Sequence, residues 1–252
     1  MKRRLLPILM TLVLVCALPI WAAFVTSGDV TNPLVCTAGA ASPPEPVEVR
    51  TADELQSNIT AGNSVKLMAD INITSTLEIA RSLTLDLNGY VLKMGGTGRV
   101  IHIIKYHGYD VKVEIKDGEP GKEHTGEYAA LPAGGVITGG KGTDAGGSVH
   151  SVGGAVFLEN GTTLNLEGGT ITGNSSRGSV FINGATLVMS GGTITGETVG
   201  VHNNVGTFTM TGGRITGCSD RGVYVYNGNM TMSDTAYILS LIHISEPTRL
   251  RC

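Results

Sequence analysis

Phe157, Phe181, His202 and Tyr224 are the residues whose type and recurrence point most directly to contact with another molecule. Val156 and Leu158, Val180 and Ile182, and Val223 and Val225 flank three of them, so if those aliphatics point inward the four rings share one outer face. Such a row can stack on the rings of an extended glycan, or it can simply pack ring on ring and stabilise a sheet. The sequence alone leaves both readings standing. Acid–base chemistry on a glycan asks for more: two converging carboxylates, or a carboxylate-bound calcium beside a basic group. The candidates are Glu159, Glu167, Glu197, Asp220 and Asp234, and no two occupy the same strand position in neighbouring repeats. His102, His107, His124, His150 and His202 lack the spacing of a metal site. The expectation is therefore no catalytic residue, no metal, no cofactor and no enzyme in this chain, with a candidate glycan-binding stripe at Phe157, Phe181, His202 and Tyr224. A second outward row, Thr170 and Thr172, Thr193 and Thr195, then Arg214 and Thr216, resembles a flat ice-binding array for two repeats only; threonine is also an ordinary outward strand residue.

The elements that would position these residues are written in a repeat. Gly-Gly-x-Ile-Thr-Gly occurs at 134–139, 168–173, 191–196 and 212–217, at intervals of about 34, 23 and 21 residues, within the range of stacked-repeat architectures. Thr163–Leu166, Thr186–Met189, Thr207–Met210 and Asn229–Met232 alternate with period two, which predicts strands. Each repeat reads as three short strands with Gly or Asn at the corners, too short to satisfy their backbone groups as hairpins but able to pair with the next repeat. Three inward columns follow: Leu164, Leu187, Phe208 and Met230; Leu166, Met189, Met210 and Met232; Ile171, Ile194, Ile215 and Ile238. Asn160, Asn183, Asn204 and Asn227 recur at one corner and are read as a side-chain ladder, the alternative being simple solvent-exposed turn residues. Before the repeats, Thr51 is an N-cap for a short amphipathic helix running to Ile59, and Val65 to Ile115 supplies less regular strands. The predicted fold class is all-β, a right-handed parallel β-helix or solenoid over residues 51–238, with a short N-terminal capping helix.

Leu83-Thr-Leu-Asp-Leu-Asn-Gly-Tyr-Val-Leu92, together with the repeated Gly-Gly-Thr-Ile-Thr-Gly, resembles the pectin-lyase-like repeats of bacterial surface and adhesin-like proteins. That resemblance covers roughly residues 50–238 and implies a fold more than a function. It also implies that polysaccharide lyases and hydrolases belong to the comparison. Their Asn-Thr-Asp, Asp-Asp, Gly-His-Gly and Arg-Ile-Lys signatures are absent here, Arg214-Ile-Thr216 being the nearest approach.

The two ends bear on location. Lys2, Arg3 and Arg4 precede an apolar run from Leu5 to Val25, which reads as a signal peptide over residues 1–23, followed by a linker over 24–50; retention as a membrane anchor is the alternative. Residues 239–252 resemble the conceptual translation of a sequencing-library adapter and are expected to be a non-native tail, the natural C-terminus being missing together with any anchor or catalytic domain it carried. Setting aside Lys2, Arg3, Arg4, Arg249, Arg251 and Glu246 leaves 13 basic against 20 acidic residues, a net charge of −7. A nucleic-acid partner needs a basic face and is excluded on that count. With only Cys36 and Cys218 in the body there is no disulfide framework. The expected role is a secreted or cell-surface structural or adhesin-like module, with an extracellular glycan or host-surface polymer as partner. The runner-up is a glycan-binding or polysaccharide-processing protein whose active repeats are missing.

Overall fold

In the computed structural model, residues 44–142, 152–240 and 242–244 are described. The signal segment expected over 1–23 lies outside them, as do most of the linker and the end of the expected tail. Every strand pairing is parallel, and each joins a segment to its counterpart in the preceding or following pass of the chain. The inward columns are in register: Leu164 opposite Leu187, Leu187 opposite Phe208, Phe208 opposite Met230, with Ile171, Ile194, Ile215 and Ile238 aligned likewise. Their side chains are fully buried as far as Ile215 and Met230, and Met232 and Ile238 at the last pass are half-buried. Like residues lying on like residues fill the interior without large aromatics; Phe208 is the exception.

The pairings correct the expected fold class. An all-β, right-handed β-helix solenoid would keep each of three strands on its own face. Among the described residues the strands form two parallel sheets, one of thirteen and one of seven, accompanied by one α-helix. The reason is local. Val180–Met189 and Val199–Met210 run unbroken through positions read as corners, absorbing the change in register shifts at Ile182/Asn183 and Asn183/Ala185. They splice two rows into one sheet, whose main path leaves Val47–Val49, turns at Val180–Met189 and returns to Leu77–Ile79. That sheet therefore curls back on itself, and the seven-stranded sheet runs from Ile71–Ile73 to Tyr237–Leu239.

The helix Ala52–Ala61 opens on a capping box in which Thr51 Oγ1 accepts from the Glu54 amide and the Glu54 carboxylate accepts from the Thr51 amide. Gly62 closes it in the left-handed region. Leu55 and Ile59 are its buried face, set against strands between Val47 and Ile79. At the other end, strand pairing continues past Ile238. Leu239 completes Tyr237–Leu239, and Ile242–Ile244 pairs with Val223–Val225.

Candidate ligand-binding surface

The outward residues of one row of the large sheet are in register in the order Glu78, His102, Phe157, Phe181, His202 and Tyr224. The structure brings the four expected site residues together as a continuous ladder and extends it by His102. Ring centroids lie 5.2 Å apart for His102 and Phe157, 5.3 Å for Phe157 and Phe181, 4.7 Å for Phe181 and His202, and 4.7 Å for His202 and Tyr224. The Phe157 and Phe181 planes are only 13° apart, so these rings face each other. The Arg99 guanidinium sits over Phe157 at 4.3 Å, and Phe157 and Phe181 are 7% and 8% exposed. Little of either ring face is open to a sugar. The ladder is packing of the sort that stabilises a sheet.

Its electrostatics fit that packing. Burial, then the Arg99 charge, holds the His102 pKa below the ordinary histidine value, although His102 Nε2 lies 3.0 Å from Glu159 Oε1. Burial also lowers the pKa of His202, whose Nδ1 lies 3.2 Å from the Arg177 carbonyl oxygen. Beside His202 and Tyr224, Arg177, Arg221 and Asp220 border a cleft of about 400 Å³. The Arg221 guanidinium lies 5.0 Å from the Tyr224 ring centre and 3.6 Å from Asp220.

The five candidate carboxylates have separate surroundings. Glu197 is 2% exposed and accepts from the backbone and side-chain amides of Asn174; burial raises its pKa, while the Ser179 and Asn174 donors pull the other way. Glu159 lies by His102 and Asp220 by Arg221, while Glu167 and Asp234 are exposed. Among the described residues no group of three or more His, Cys, Asp or Glu could hold a metal ion. In the threonine row, Thr216 Oγ1 donates to Thr195 Oγ1 at 3.3 Å. The asparagine ladder has one side-chain rung, Asn204 Nδ2 to Asn183 Oδ1 at 3.3 Å. The asparagine that enters the interior is its neighbour Asn203, whose Nδ2 donates to the Gly206 and Asn229 carbonyls.

Among the described residues the most exposed aromatic surface lies outside the repeat. Tyr106, His107, Gly108 and Tyr109 form a turn closed by the Tyr109 amide donating to the Tyr106 carbonyl, with φ of 47° at His107 and 82° at Gly108. Tyr106 is 43% and Tyr109 74% exposed. Between this turn and the helix lies a cleft of about 300 Å³ bordered by Gln56, Thr60, Glu78, Arg81 and Tyr106. Two tyrosines around a His-Gly pair are the sequence signal that could have found it.

No family model, no curated protein and no solved structure matches this chain. The resemblance to pectin-lyase-like repeats therefore carries no residue role over to it.

Proposed function

We propose that the protein is an exported, cell-surface structural module with an adhesive role and no catalytic chemistry of its own. The observation that carries this reading is how its carboxylates are used. Asp117 accepts from the Gly89 and Gly135 amides, Asp86 from the Asn88 and Gly118 amides, and Glu197 from Asn174. These three carboxylates, of the kind that could move protons on a glycan, instead hold the chain's own backbone turns. In-register columns and a ring ladder add stiffness, as suits a surface that presents contacts.

The test is expression of the full chain with an internal epitope in a bacterial host, followed by fractionation and protease shaving of intact cells. Epitope signal that shaving removes is the expected result; a wholly cytoplasmic protein would overturn the reading. Glycan processing, the second reading, is checked on the purified chain by reducing-end release from a polysaccharide panel. Sustained release, lost in Glu159→Gln or Glu197→Gln, would replace the structural reading with an enzymatic one.

A further inference from the structure

Resting on the adhesive reading, we propose that the turn Tyr106–Tyr109 and the cleft beside it form a binding site for a neutral pyranose of an extracellular glycan.

Sugar recognition needs an open aromatic face and flanking planar polar groups. Phe157 and Phe181 lack the first requirement because they face each other. Tyr109 meets it, being 74% exposed, and Tyr106 stands 43% exposed at the edge of the cleft. The Arg81 guanidinium lies 5.7 Å from the Tyr106 ring centre, and Glu78, Gln56 and Thr60 supply further donors and acceptors. At about 300 Å³ the cleft is at the small end of ligand sites, on the scale of a sugar ring rather than a folded partner. Its charge sets the class. Glu78 and Arg81 contribute one charge of each sign, so an anionic sugar would gain from one and lose to the other.

The backbone holds the site in place. His107 is a non-glycine residue at positive φ, a costly geometry closed by the Tyr109-to-Tyr106 hydrogen bond, and both tyrosines of the turn are exposed. On the helix side Gly62 leaves room for the Arg81 side chain, since a Cβ there would lie 2.5 Å from Arg81 Cδ. A small open site binds weakly, and useful retention comes from many copies.

The experiment uses the full chain coupled at high density to beads, challenged with neoglycoproteins bearing galactose, glucose, mannose or N-acetylglucosamine, and with a sialylated one. Retention of at least one neutral neoglycoprotein is expected. It should fall about tenfold in Tyr106→Ala/Tyr109→Ala, survive in Tyr109→Phe, and be unaffected by Arg177→Ala/Arg221→Ala, all with unchanged thermal midpoints. Retention that persists in the tyrosine double variant overturns the site and leaves the adhesive role intact. Retention of the sialylated probe alone, lost with the two arginines, moves binding to the cleft beside Tyr224. If no neoglycoprotein is retained while cells still bind the beads through protease-sensitive targets, the ligand class is wrong and the adhesive role stands. If neither cells nor neoglycoproteins are retained, both fall.

Discussion

Glu197 shows how much a single residue costs and contributes here. Its buried carboxylate keeps a proton to a higher pH than an ordinary glutamate. Between the ordinary value and the raised one, the folded chain holds a proton that the unfolded chain has released, so stability falls as pH rises through that window. Glu197→Gln is expected to remove this slope and raise the neutral-pH melting midpoint, measurable by melts from about pH 4 to 8. His102 and His202 act with the opposite sign: their lowered pKa values mean that the unfolded chain takes up protons first, and stability is lost as pH drops below the ordinary histidine range. Replacing both with Phe should flatten that acid limb. Asn203, wholly buried, holds two carbonyls through one amide, so Asn203→Ala should destabilise by about 1–3 kcal/mol in a denaturant titration. That role was not legible in the sequence, where alternation marks Asn203 as inward but says nothing of the carbonyls it meets.

At the scale of elements, the columns were readable because period two and like-for-like residues at Leu164, Leu187 and Phe208 fix both face and register. Phe208 is the largest side chain in its column, and Phe208→Ala should cost about 3–5 kcal/mol by the same titration. The splice through Val180–Met189 and Val199–Met210 was not readable. Asn183-Gly184 has the composition of a corner, and only pairing on both sides shows that the strand continues. Register sets the four rings on one face, but alternation cannot say whether ring faces meet each other or solvent. Tyr106–Tyr109 escaped because it sits in an early connection that the repeat does not cover.

At the scale of the molecule, among the described residues, the last pass is thinly buried: Ile238 is half-buried and Leu239 is 64% exposed. Chain truncated after Ile238 is therefore expected to melt within about 2–4 °C of the full chain, a change of under about 1 kcal/mol. A larger drop would make Tyr237–Leu239 and Ile242–Ile244 part of the native core. The spliced strands have a further consequence under mechanical load. Hydrogen bonds join the strands of each pass to those of the next, so pulling the two ends apart peels passes one after another. Each ordinary pass of roughly 21 residues would lengthen the chain by about 70 Å. Where Val180–Met189 and Val199–Met210 tie both rows together, neither row can yield alone. A force–extension trace should show its highest rupture peak there, a built-in force limit set by two adjacent strands.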